Sequence, residues 1–119
     1  MTVTATVQSI GDNAIDPKEP ILVLFDETAT APLQQISVVQ QFEQPVTQLS
    51  LVVGSTITID QQTYTVEYAG GLVEANLTSI GHATLYFKSV PEKPMDNGLY
   101  LTPHQLPKIK VGSVITYQS

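Results

Sequence analysis

Apolar and polar residues alternate one by one along several stretches of this chain, and that constrains its fold more than any other feature. In Thr2–Ile10, Val3, Ala5 and Val7 alternate with Thr4, Thr6 and Gln8, the pattern of a strand with one buried and one wet face. Ile21–Phe25 is a short apolar run suited to a second strand, set off from the first by Gly11-Asp12-Asn13 and Asp16-Pro17. Gln34–Gln41 offers a third, with Ile36 and Val38 on one face and Val39 on the other. Thr56–Ile59 and Thr63–Tyr68, joined through Asp60-Gln61-Gln62, read as a hairpin in which Ile57, Ile59, Tyr64 and Val66 alternate with threonines. Ala83–Phe87, Leu99–Leu101 and Val114–Tyr117 complete the strands, and Pro91–Gly98 reads as a loop. Only Leu72–Ile80 argues for a helix. Leu72, Val73, Leu77 and Ile80 fall close to one face, and Gly81 stands where a glycine ends a helix.

Short strands, frequent turns and one short helix predict an all-β fold, a small closed or partly open β-barrel. No linker or shift in composition divides the chain, so residues 1–119 are expected to form a single domain. Val53-Gly54-Ser55-Thr56-Ile57-Thr58-Ile59 is echoed by Val111-Gly112-Ser113-Val114-Ile115-Thr116-Tyr117. Each is a Gly-Ser turn opening an alternating strand, a device of many small barrels rather than a true repeat. Left at an edge, Val114–Tyr117 could pair with a second copy and make a homodimer.

The available chemistry is narrow. Cysteine is absent, which removes disulfides, thiol nucleophiles and thiolate metal sites. Five lysines and no arginine stand against eleven acidic residues, for a formal net charge of −6. That balance excludes binding to a nucleic-acid backbone and attraction to anionic membrane surfaces. The longest purely apolar stretch, Ile21–Phe25, is far short of the roughly 20 residues of a membrane helix. The N-terminus also lacks the basic start of a signal peptide. A cytoplasmic protein with no direct membrane insertion is expected. No phosphate-binding glycine loop and no nucleophile elbow occur, and the two histidines are not spaced as metal ligands, so neither a cofactor nor a metal is expected. His104, after Pro103, reads as solvated surface. His82 lies where the helix hands over to Ala83–Phe87. Such a junction can leave an imidazole partly exposed while backbone groups fix its tautomer, or the ring can simply cap the helix end.

Three stretches carry a family likeness. Ser9-Ile10-Gly11-x-x-Ala14-Ile15-Asp16 resembles the N-terminal signature of the glucitol/sorbitol-specific enzyme IIA component of the bacterial phosphotransferase system (PTS). Val66-x-x-Ala69-Gly70-x-x-x-Glu74-x-Asn76-Leu77-x-x-Ile80-Gly81-His82-x-Thr84-Leu85-x-Phe87 is similar to the same family's most distinctive run, and Gly112-Ser113-Val114 matches near the C-terminus. The resemblance implies a phosphocarrier, which takes a phosphoryl group from the phosphohistidine of HPr and passes it to a cysteine on the IIB domain of a hexitol transporter's IIB/IIC subunits. Aligned through Pro32-Leu33-Gln34-Gln35-Ile36, the family's acceptor histidine falls on Gln40, or on Gln41 if the register slips by one. A second histidine two residues further on is Phe42 here. No glutamine can form a phosphoramidate. Three expectations follow: a carrier that uses His82 instead, a phosphorylation-incompetent relative that docks PTS partners without chemistry, or a barrel used as a ligand or assembly module.

Overall fold

The computed structural model describes residues 2–119. Among them run β1 (Thr2–Ile10), β2 (Ile21–Phe25), α1 (Ala31–Gln35), β3 (Val38–Phe42), β4 (Thr56–Ile59), β5 (Gln62–Ala69), α2 (Val73–Ile80), β6 (Ala83–Tyr86), β7 (Gly98–Thr102) and β8 (Val114–Gln118). The strands close into a barrel in the order β1-β3-β2-β6-β7-β5-β4-β8, and β8 returns to β1. Pairing is antiparallel except for β2 with β3 and β6 with β7. The alternation dictates which face turns inward. Ala5 and Val7, Leu22 and Leu24, Ile57 and Ile59, and Ile115 and Tyr117 are all buried, while the intervening threonines are not. Each large aliphatic side chain so placed contributes about 1.5–3 kcal/mol. No helix among the described residues is long and apolar enough to cross a membrane.

Three expectations about the elements are corrected. Gln34–Gln41 is not one strand. Thr30 takes the extended N-cap conformation and Pro32 sits in the first turn of α1, where a missing N–H removes no helical bond. The chain then turns through Ile36, which is exposed, and β3 starts only at Val38. The barrel therefore carries two helices rather than one. In α2 the expected apolar face shrinks to Val73 and Leu77, since Leu72 is an exposed N-cap and Ile80 is more than a third exposed. Gly81 ends α2 as expected, in the left-handed conformation at φ 62°. A methyl group there would meet the Asp26 Cβ at 2.7 Å, so glycine is required twice over. Finally, Val114–Tyr117 offers no free edge, because β8 pairs with β1 on one side and β4 on the other.

The Gly-Ser echo belongs to a relation that covers the whole barrel. Gly54 N–H and Gly112 N–H bond the carbonyls of Val66 and Val7, whose own N–H groups bond the carbonyls of Ser55 and Ser113. Val7 and Val66 each precede a bulge, one in β1 and one in β5. Across those bulges, Val7 pairs with Gln40 and Ser9 with Val39, just as Val66 pairs with Leu101 and Tyr68 with Tyr100. Leu24 pairs with Val38 in β2–β3 as Leu85 pairs with Leu99 in β6–β7. A pseudo-twofold relation thus maps β1–β4 onto β5–β8. Under it Gln40 corresponds to Leu101, Ile59 to Tyr117, and Ile21 to His82.

Candidate functional site

His82 follows the αL glycine that ends α2 and precedes β6. The helix end is closed by backbone groups, Gly81 N–H to Leu77 O at 3.2 Å and His82 N–H to Asn76 O at 3.1 Å. The imidazole does not cap it, contrary to one of the two expectations. The ring crosses instead to β2, where Nδ1 lies 2.9 Å from the Leu24 carbonyl oxygen. A carbonyl only accepts, so Nδ1 carries the proton and Nε2 holds a lone pair. The Asn97 side-chain amide donates to Nε2 at 3.1 Å. The ring stacks on Phe25, with centroids 4.2 Å apart and planes 19° from parallel, an arrangement worth about 0.5–1.5 kcal/mol. The loop before β7 is itself held, because Thr84 N–H donates to the Asn97 carbonyl at 3.1 Å. His82 and Asn97 are both half-buried.

Gln40 faces the barrel interior and is fully buried. Its amide Nε2 donates to the Gly81 carbonyl at 3.0 Å, and its Oε1 accepts the Tyr117 hydroxyl at 2.6 Å. Burial pushes that hydroxyl above the usual tyrosine range, so it stays protonated and donates. The two residues singled out in the sequence, Gln40 and His82, therefore meet through Gly81. Gln41 points the other way. It is exposed and lines a groove of about 350 Å³ with Asp26, Glu27, Phe42, Glu43 and Val46 among its other walls. Phe42 is half-buried, its ring tilted against Tyr117 at 5.9 Å. No lysine lines this groove.

His104 is exposed, as expected, and contacts Glu67 at 3.0 Å, a surface pairing worth about 0–1 kcal/mol. A larger hollow of about 640 Å³ lies among Asp60, Gln62, Lys108 and Lys110 and shares no lining residue with the groove beside Gln41. Among the described residues, no group of three or more His, Asp or Glu side chains is placed to hold a metal ion.

The barrel is that of a PTS IIA component. The crystal structure of the PTS system IIA component from Enterococcus faecalis V583 matches it with a TM-score of 0.93 and 43% sequence identity, over 98% of this chain and 99% of that one. The chain belongs more narrowly to the PTS system glucitol/sorbitol-specific IIA component family, which matches residues 2–116. The PTS system glucitol/sorbitol-specific EIIA component of Escherichia coli (strain K12) is 28% identical over 115 residues, 96% of this chain and 92% of that protein. Sequence reasoning missed the partners that define the site: Asn97, Tyr117, Phe25 and the Leu24 carbonyl. In the sequence Asn97 falls within the loop Pro91–Gly98 and Tyr117 at the end of the strand Val114–Tyr117, and neither is marked as a partner of His82.

Proposed function

We propose that residues 1–119 work as one cytoplasmic IIA unit that carries a phosphoryl group from HPr to a IIB domain during hexitol uptake, with His82 as its acceptor. The supporting observation is the tautomer: with Nδ1–H tied to the Leu24 carbonyl, the nucleophilic lone pair belongs to Nε2. In the forward step Nε2 forms a new N–P bond as the N–P bond to the HPr imidazole breaks, and the HPr nitrogen leaves with the bonding pair. Nδ1 keeps its proton throughout. The Asn97 amide, 3.1 Å from Nε2, then turns its N–H toward a phosphoryl oxygen. In the second step the IIB cysteine thiolate attacks phosphorus and the N–P electron pair returns to Nε2. Position 40 takes no part as a nucleophile, because Gln40 is sealed inside the barrel with both ends of its amide bonded.

A second reading is a relative that docks HPr or a IIB domain without chemistry. The observation favouring it is the negative setting: Asp26 packs against Gly81, and Glu27 and Glu43 line the neighbouring groove, where a dianion is repelled. Intact-mass spectrometry after incubation with phosphoenolpyruvate, enzyme I and HPr separates the two. One phosphoryl group on the wild type, lost in His82→Ala, is the expected result. A wild type that stays unmodified while Gln40→His gains the group would sink the carrier reading and leave docking alone.

A further inference from the structure

The interior of the barrel repeats itself with one substitution of character. Each of two equivalent places combines a residue from either half: one holds Ile59 and Leu101, the other Tyr117 and Gln40. All four side chains are buried. The apolar pair demonstrates that these positions can be filled without a hydrogen bond. The polar pair carries a cost, since each buried amide or hydroxyl must be fully partnered to avoid a desolvation penalty. Both polar atoms of Gln40 and the Tyr117 hydroxyl are bonded, and the chain of bonds runs in one direction: Tyr117 hydroxyl to Gln40 Oε1, then Gln40 Nε2 to the Gly81 carbonyl. It ends on the peptide group that joins Gly81 to His82. Closing that turn from the other side, Asp26 N–H bonds the Ile80 carbonyl at 2.9 Å and Asp26 leaves no room for a side chain at Gly81.

We propose that Gln40 and Tyr117 are positioning residues for His82, an uncharged buried strut that fixes the Gly81–His82 peptide and through it the direction of the imidazole. The strut stands on the side of the barrel that holds the histidine, and its apolar counterpart stands on the side that holds Ile21. Its effect on phosphotransfer rests on His82 being the acceptor, whereas its effect on the ring does not.

The test uses the whole chain, as Tyr117→Phe and as the double variant Gln40→Leu/Tyr117→Phe, which copies the apolar character of Ile59 and Leu101. Nitrogen-edited NMR of the His82 ring reports the Nδ1–H signal and its exchange with solvent. In both variants that exchange is expected to quicken about tenfold, the worth of one lost hydrogen bond, while the double variant keeps its cooperative melt. Phosphoryl uptake from HPr slows by a similar factor. Unchanged ring shifts and exchange in a folded double variant would overturn the proposal. If the wild type takes no phosphoryl group, the carrier reading fails, and the ring measurement still decides whether the strut positions His82.

Discussion

The two halves of the barrel share strand order, register and bulge positions, yet only one of them has a reactive group at the corresponding place. Ile21 enters β2 where His82 enters β6, and the chains leading into them differ. Between β1 and β2 runs a loop, whereas between β5 and β6 stands α2, closed by an αL glycine. Even the bonds beyond the crossing differ by a residue: Asp26 N–H reaches Ile80 O, and its counterpart Phe87 N–H reaches Pro20 O. Scaffold and site are therefore separable in this molecule. What both halves share is what closing an eight-stranded barrel requires. What the second crossing adds is a helix end tight enough to hold an imidazole against its neighbour strand.

The sharpest way to break that crossing is Gly81→Ala. The left-handed backbone and the 2.7 Å approach to Asp26 together predict a loss of about 2–4 kcal/mol in urea denaturation. Gly71→Ala, where an added methyl meets nothing within 4 Å, serves as the control. Equal losses at the two glycines would contradict the steric account. Leu101→Gln asks whether the apolar Ile59/Leu101 pair can accept the polar residue of its counterpart, the Tyr117/Gln40 pair. Its counterpart of Tyr117 is Ile59, which has no hydroxyl to offer, so the new amide is buried without that donor. A loss of about 1–3 kcal/mol is expected. A variant as stable as the wild type would mean that the interior takes up amides freely and that the Gln40 network is incidental.

Much of the scaffold was legible in the sequence because period-two alternation reports which face is buried, as it does in β1, β4, β5 and β8, while β2 stood out as a short apolar run. Residues 34–41 misled for a physical reason. Gln34 and Ile36 continue the alternation by accident, while Pro32 after Thr30 marks a helix start that a strand reading overrides. The site was half legible. Its histidine stood out as one of only two, and the glycine before it had a conformational signature. Its partners were not legible, because Asn97, Leu24 and Tyr117 lie far from His82 in sequence and only barrel closure brings β2, the β7 loop and β8 to it. The echo between Gly54-Ser55 and Gly112-Ser113 was visible, but its extent was not, since register leaves no mark in side-chain identity. Gln40 is the instructive case: the family resemblance singles it out in the sequence, and only the fold reveals that its side chain is buried with both polar atoms bonded.

The smallest expected effect sharpens the comparison at the two Gly-Ser turns. Ser55 Oγ accepts Val52 N–H at 3.0 Å, and Ser113 Oγ accepts Lys110 N–H at 3.0 Å, so the turns are built alike. Only the second is tied to a carboxylate. Asp60, at φ 55°, accepts Val114 N–H at 3.0 Å and Ser113 O–H at 2.8 Å, while Gln118 occupies the corresponding position of the other half. The Val114 N–H bond first, then the Ser113 bond, and last the charge of Lys110 hold the Asp60 carboxyl below its ordinary 3.8, against an opposing effect of burial that outweighs the Lys110 charge. A carboxyl whose folded value is lowered stabilises the fold fully above its unfolded value and loses that stabilisation as pH falls through the folded one. The window therefore lies below 3.8. In urea denaturation followed downward in pH, the wild type is expected to exceed Asp60→Asn by a constant margin near neutrality. That margin should close in acid, because a protonated Asp60 and an asparagine offer Val114 similar acceptors. Asparagine also tolerates the left-handed backbone, so backbone strain does not enter the comparison. A margin of the same size at about pH 2.5 as at about pH 7 would mean that the carboxylate contributes nothing as an ion, and the two turns would then be equivalent in energy as well as in shape.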